Sequence, residues 1–224
     1  MFSKVIQATR FIRAYTTLVR DPKKTERVFQ LINSMGDEGL TKLPGFMERP
    51  EVQQVMSKPA KRLDTNLEML AALPEGTLGR CFAEYMQAQG FDPAGLVYNT
   101  GDSPFDRIRI HLEATHDVWH VVTGFRTDVA GELGLQAFYH AQFGAGLALI
   151  LISSGLLNTL FFALDDADRR MAAISHGWQL GRTARPLLGV DWSTRWDQPL
   201  AHVRRDLGLS ETGEGFERHL ANVA

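Results

Sequence analysis

Between Ala137 and Leu164 the only side chain that can carry charge near neutral pH is His140, and Ala145 to Ala163 is an apolar stretch broken by Ser153, Ser154 and Asn158. No other feature constrains the fold as much, because roughly twenty apolar residues in helical form match the thickness of a bilayer core. Gly144, Gly146 and the Ser153-Ser154-Gly155 break interrupt the run. The flanking Asp165, Asp166, Asp168, Arg169 and Arg170 are mixed in sign and give no orientation by the positive-inside rule. The segment therefore reads as a helical hairpin, buried or resting on a membrane, rather than as a span.

Elsewhere apolar residues recur at three and four, β-branched residues are scattered and clean alternation is absent, which predicts helices and almost no strand. Asp21-Pro22 starts a helix into Lys23 to Met35, glycines and Pro44 make a loop of residues 36–50, and a short helix follows to about Lys58. A helix with Phe82, Tyr85 and Met86 ends at Gly90, and residues 91–101 form a long turn. Ser103-Pro104 caps a helix that runs to about Thr123, where Gly124 stops it. Thr127 or Asp128 caps the next, near Val129. Two further helices, joined by a turn of residues 186–189, carry the chain through Trp178, Trp192 and Trp196, which read as packing. The expectation is an all-α, single-domain helical bundle over residues 1–209 with a long apolar central helical segment, and a loose tail over residues 210–224.

Residues 1–20 hold Lys4, Arg10, Arg13 and Arg20 and no acid, with Phe2, Val5, Ile6, Phe11, Ile12, Tyr15 and Val19 at helical spacing. A docked first helix explains them, and so does a membrane-surface helix or a transit peptide. With 224 residues, a charge of −2 and charged residues at 22%, bulk charge gives no reason to expect nucleic acid as a partner. The one cysteine, Cys81, permits no intramolecular disulfide and reads as an inert thiol, so any metal must take nitrogen and oxygen ligands.

His116 and His120 are four apart, so on a helix both rings project from one face and can converge on one ion. Asp117 lies about 100° round the helix, close enough to reach the same ion or to hydrogen-bond a ligand. Glu132 follows after a chain reversal at Gly124 and Thr127-Asp128, on a helix that can return it to that face. Two imidazoles and two carboxylates would balance a divalent cation, with zinc, iron and manganese admitted and magnesium less comfortable. Asp117 stands where a zinc peptidase would have its glutamate base, which disfavours proteolysis. Taken on spacing alone, the pair fits two structural histidines as well as a metal site, and a closed four-ligand site would be structural rather than catalytic. His140 reads as a core residue, and His111, His176, His202 and His219 show no partner pattern.

The run His116-Asp117-x-x-His120 followed by Glu132 resembles the signature of the ubiquinone (coenzyme Q) biosynthesis protein 4 family. LPEGTLGRCFAEYMQAQGFDP at residues 73–93, HDVWHVVTGFRTDVAGELGLQAF at 116–138 and RWDQPLAHVRRDLGL at 195–209 are similar to further segments of that family, in order, so the likeness covers residues 73–209. The resemblance implies an all-helical protein on the inner face of a membrane, a divalent metal held by His116, Asp117, His120 and Glu132, and a prenyl lipid or quinone precursor as ligand. The activity it implies is oxidative decarboxylation, replacement of the C1 carboxyl of a polyprenyl hydroxybenzoate. The alternative is a non-catalytic scaffold that binds the lipid and gathers other quinone-biosynthesis enzymes. Zinc is the first choice of cofactor, ahead of iron, manganese or magnesium. No catalytic residue beyond the metal ligands is indicated, and Arg182 is the candidate for a substrate carboxylate or phosphate. A groove along residues 137–164 would take the lipid tail. A cytoplasmic location peripheral to the inner membrane, or the matrix side of the mitochondrial inner membrane in a eukaryote, and a homodimer complete the expectation.

Overall fold

The computed structural model describes residues 2–24, 26–35, 45–59, 63, 65–90 and 100–209. Much of the expected loop over residues 36–50, nearly all of the long turn over residues 91–101 and the tail over residues 210–224 fall outside them. Among the described residues there are helices α1 (Phe2–Arg20), α2 (Glu26–Met35), α3 (Pro50–Ser57), α4 (Leu67–Ala71), α5 (Leu78–Gln89), α6 (Pro104–Thr123), α7 (Val129–Phe143), α8 (Gly146–Phe162), α9 (Ala167–Thr183) and α10 (Leu200–Asp206), and no strand. The chain divides into two compact units, one of Met1–Phe46 with Arg126–Arg182, the other of Met47–Phe125 with Thr183–Asn222.

The first unit holds α1, α2, α7, α8 and α9. Ala14 and Leu18 of α1 and Leu31 of α2 form a small core into which Leu147, Ile150 and Leu151 of α8 pack. Tyr15 Oη lies 3.0 Å from Ser153 Oγ, and Asn158 Nδ2 donates to the Val19 carbonyl at 2.9 Å, so α1 and α8 run side by side in the same direction. α9 lies backbone to backbone on α7. A Cβ on Gly177 would collide with the Gly134 carbonyl, and one on Gly181 would sit 2.8 Å from the Phe138 carbonyl, so only glycine permits this approach. Gln142 Nε2 donates to the Gly181 carbonyl at 2.9 Å along the same line.

The apolar segment is two helices rather than one long element. Gly144, at φ 63°, caps α7 in the left-handed conformation that glycine adopts without strain, and α8 starts at Gly146. No helix among the described residues is long and apolar enough to cross a membrane. α7 is buried along most of its length, but α8 is apolar on every side: Leu147, Ile150 and Leu151 pack inward beside the buried Ser154, Asn158 and Thr159, while Leu149, Leu156, Leu157, Leu160, Phe161 and Phe162 are exposed. Arg170 donates to Asn158 Oδ1 at 2.8 Å and Thr159 Oγ1 at 3.0 Å, and Ser154 Oγ donates to the Leu151 carbonyl at 2.8 Å. Asp166 accepts from both Arg169 and Arg170 at 2.7 Å, and Arg169 reaches on to Asp128 Oδ2 at 2.8 Å. Asp128 in turn caps α7 by accepting from the Gly131 N–H at 2.9 Å. Burial alone would raise the Asp128 carboxyl, but the Gly131 N–H and Arg169 outweigh it and hold it low; hydrogen bonds from Arg169 hold Asp166 low against its own desolvation.

The second unit places α6, the helix of the candidate site. Its start is a capping box in which Ser103 Oγ accepts from the Asp106 N–H and Asp106 Oδ2 accepts from the Ser103 N–H, both at 3.1 Å, with Pro104 in the first turn. Its end is Gly124, at φ 82°. Residues 196–200 are laid along the start of α5: Leu78 N donates to the Gln198 carbonyl at 2.9 Å and Gly79 N to the Trp196 carbonyl at 2.8 Å. Trp196 packs on Phe82, ring centroids 5.3 Å apart, and Trp192 is fully buried, so both are packing residues. Trp178, in the first unit, is not: it is exposed on α9, stacked on the half-buried His140. The link between the last two helices is longer than a turn, with a 3-10 helix at Trp192–Thr194.

One titrating group of α6 gives this unit a pH dependence. Burial lowers His111 to about 4, Asp191 offsets this in part, Lys58 adds to it, and His111 Nε2 has no hydrogen-bond partner among the described residues. At neutral pH the ring is uncharged folded or unfolded. As pH falls below about 6.5 the unfolded chain takes up a proton that the folded chain refuses until about pH 4, so stability drops across that window by up to about 3 kcal/mol. Urea unfolding at pH 7 and pH 4.5 should show this loss in the native chain and much less of it in His111→Gln; equal slopes with pH in the two proteins would remove His111 as the cause.

Candidate metal centre

His116, Asp117 and His120 occupy the last two turns of α6, where the side chains at i and i+4 lie one above the other. His120 is almost fully buried. Its Nδ1 lies 2.9 Å from the Phe125 carbonyl, and since a carbonyl only accepts, Nδ1 must carry the proton. In the neutral ring that leaves the lone pair on Nε2, which points to His116 Nε2 at 3.3 Å. Two nitrogens each about 2.0–2.1 Å from a tetrahedral ion stand about 3.3 Å apart, so the two Nε2 atoms already have the spacing of adjacent ligands. The rings meet edge to face at 87°, with centroids 4.8 Å apart. The Phe125 carbonyl has the orienting role that metal-bound histidines require of a neighbour. It is set by the Gly124 turn, in which the Gly124 N–H closes onto the His120 carbonyl at 2.9 Å.

His116 and His120 are the candidate ligands of the second unit, and Glu132 is the candidate carried by the first. Glu132 lies in the first turn of α7, four residues after its cap Asp128. Asp117, beside them on α6, accepts from Tyr85 Oη at 3.4 Å through its Oδ1, and Tyr85 also stacks on His120 with ring centroids 6.0 Å apart. Arg182 is exposed near the end of α9, its guanidinium 5.7 Å from the Trp178 ring centre. His140 lies half-buried on α7 with Nδ1 3.2 Å from the Ala145 carbonyl.

Three contributors are not legible as site residues in the sequence. Tyr85 gives no signal beyond its place on the apolar face of α5, and Phe125 acts through its backbone. Arg204 caps the end of α6, with Nε donating to the Val122 carbonyl at 3.0 Å and Nη2 to the Val121 carbonyl at 2.8 Å. These are last-turn carbonyls that the helix itself leaves without partners. Burial lowers the Arg204 pKa, though an arginine remains charged. Cys81 lies in the same unit; burial and then Glu84 push its thiol up, which keeps it unreactive.

An all-α fold among the described residues, with a His-Asp-x-x-His helix that sets two histidine Nε2 atoms 3.3 Å apart, defines the class. The chain belongs to the Coenzyme Q (ubiquinone) biosynthesis protein Coq4 family, whose model matches residues 3–212. It is 26% identical over 216 residues to a mitochondrial ubiquinone biosynthesis protein COQ4 homolog from Danio rerio, covering 93% of this chain and 78% of that one. It is 24% identical over 203 residues to the mitochondrial ubiquinone biosynthesis protein COQ4 of Coprinopsis cinerea, covering 85% and 67%. A crystal structure from Nostoc punctiforme, of a protein provisionally named for ubiquinone biosynthesis, superposes with a TM-score of 0.75 at 28% identity, covering 90% of this chain and 97% of that one. A role in ubiquinone biosynthesis is thereby supported.

Gly124→Ala tests how the Phe125 carbonyl sets the site. An alanine in the left-handed region costs about 1 kcal/mol and shifts the carbonyl that orients His120. Zinc affinity by competition with a chelator should fall by roughly tenfold or more while helix content stays unchanged. An unaltered affinity would mean that the carbonyl does not orient the ligand.

Proposed function

We propose that the protein is a metal-dependent enzyme acting on the head group of a polyprenyl hydroxybenzoate, replacing its C1 carboxyl by oxidative decarboxylation. The observation that carries the reading is the pair of Nε2 atoms at 3.3 Å, one with its tautomer fixed by the Phe125 carbonyl. His116, His120 and Glu132 are the proposed ligands, with Asp117 as the fourth. The donor chemistry fits: two neutral imidazoles and two carboxylates balance a 2+ charge, with zinc favoured and iron, manganese or magnesium as alternatives. When bound, such an ion supplies Lewis acidity to a ring carboxylate or phenolate and steadies the charge left as carbon dioxide departs.

The chain's own residues do the rest. Phe125, through its carbonyl, keeps the His120 ring in one tautomer. Tyr85 holds Asp117 and packs on His120, so the carboxylate and the imidazole are positioned by the same side chain. Replacing a carboxyl by a hydroxyl is an oxidation, and no side chain of the site takes up two electrons, so dioxygen or another oxidant is a co-substrate. Arg182 is the proposed contact for a substrate carboxylate or phosphate, and its exposed place over Trp178 leaves the guanidinium reachable. The lipid tail implies work at a membrane surface alongside other enzymes of quinone assembly, on the inner-membrane side of the cytoplasm or, in a eukaryote, of the matrix.

His120→Ala separates catalysis from a scaffold role. Purified variant should lose bound metal and conversion of the prenylated hydroxybenzoate together, keep its helical circular dichroism, and fail to restore quinone in a strain lacking the native protein. Full restoration of quinone by the metal-free variant would overturn the enzyme reading in favour of the scaffold.

A further inference from the structure

Glu132 stands in the first turn of α7, and the end turns of a helix open most readily because their N–H groups have no carbonyl of the helix to bond. A ligand carried there holds an ion only while the turn is closed, so its contribution scales with the closed fraction. Whatever closes that turn sets how firmly Glu132 is presented.

Asp128 closes it with two bonds. Its carbonyl accepts from the Glu132 N–H at 2.9 Å, and its Oδ1 accepts from the Gly131 N–H at 2.9 Å, so one residue holds the backbone of Glu132 and of its neighbour. The chain at Arg126 lies directly against the same turn: a Cβ on Gly131 would overlap the Arg126 carbonyl, so the entering loop is pressed onto the helix it starts. Asp128 Oδ2 takes Arg169 Nη1 from α9 at 2.8 Å. Arg169 is itself fixed, because Nε and Nη2 form a fork on Asp166 at 2.7 and 3.1 Å and leave Nη1 for Asp128. Asp166 also accepts from Arg170 Nε at 2.7 Å, and Arg170, 5% exposed, is bonded to Asn158 and Thr159 of α8. Two carboxylates and two guanidinium groups thus balance in one series that starts at the cap of α7 and ends on buried polar groups. An isolated surface pair contributes little, but a fork anchored in a network holds geometry.

We propose that Arg169, anchored by Asp166, is a positioning residue for the metal centre: through Asp128 it keeps the first turn of α7 closed and so holds Glu132 ready to ligate. The proposal rests on the reading of Glu132 as a ligand and assigns part of the metal affinity to a side chain on another helix, 41 positions along the chain from the cap it holds.

Zinc affinity of the full chain is measured by competition with a chelator in a double-mutant cycle of Arg169→Met and Glu132→Ala, with circular dichroism to confirm folding. Arg169→Met should weaken zinc by roughly threefold to tenfold when Glu132 is present. It should weaken zinc no further once Glu132 is alanine, since a residue that acts through Glu132 then has nothing to position. Asp128→Ser separates the tie from the cap: serine still accepts from the Gly131 N–H but is too short to reach Arg169. It should reproduce the loss of Arg169→Met, and the two changes together should lose no more than either. If Arg169→Met fails to fold, Arg169→Lys, which keeps a charge near both carboxylates but cannot make the fork, carries the same cycle. A merely structural ion pair would lower the urea midpoint and leave zinc affinity unchanged, and that result would overturn the proposal. An equal loss with and without Glu132 would also overturn it while leaving Glu132 as a ligand. Unchanged affinity in Glu132→Ala would instead overturn the ligand reading itself.

Discussion

The hydrogen bond from His120 Nδ1 to the Phe125 carbonyl is the contact on which the site depends. It fixes the tautomer, and the tautomer decides that Nε2 carries a lone pair instead of a proton. That lone pair can take an ion or accept a proton from His116 Nε2, which lies 3.3 Å away. The bond to the Phe125 carbonyl exists because Gly124 takes a left-handed conformation that other residues adopt only at a cost, folding the chain back just as α6 ends. Arg204 holds the same turn from outside by taking up the Val121 and Val122 carbonyls. Helix termination and the orientation of the His120 ring are thus one local event, and a change at Gly124, Phe125 or Arg204 acts on that ring.

Much of this follows from local rules that a sequence displays openly. Ser103-Pro104, Gly124 and Asp128 act at short range, so the ends of α6 and the start of α7 fall where residue type puts them. The same holds for the histidines, whose convergence is a consequence of helical spacing alone. What stays hidden depends on long-range packing or on backbone. The close approach of α9 to α7 needs glycine at 177 and 181, but a glycine within a helix gives no sign of the neighbour that demands it. Tyr85 reaches Asp117 across 32 positions of sequence, and nothing in the local pattern of α5 marks it.

The apolar run shows where hydropathy misleads. Its residues gave equal support to a core, a groove and a membrane-resting hairpin, since composition does not say which face of a helix points inward. The deciding feature is Arg170, which is buried and donates to Asn158 and Thr159. With that guanidinium on Asn158 and Thr159, the inward faces of α8 are those of Leu147, Leu151, Asn158 and Thr159, and the face of Leu149, Leu156 and Leu160 is left outward. Trp178 packs on one face alone: it borders the Gly177 and Gly181 side of α9 and stacks on His140, with its other face at the surface. The family relation supports a role in ubiquinone biosynthesis, while the chemistry is argued from the donor set.

Zinc K-edge X-ray absorption on the loaded, full-length chain addresses the central claim most directly. Two imidazole nitrogens at about 2.0–2.1 Å, with the outer-shell scattering of both rings, are expected in the native protein, dropping to one in His116→Ala. A spectrum with no imidazole in the first shell, or one unchanged by removing His116, would contradict a metal centre built on this helix.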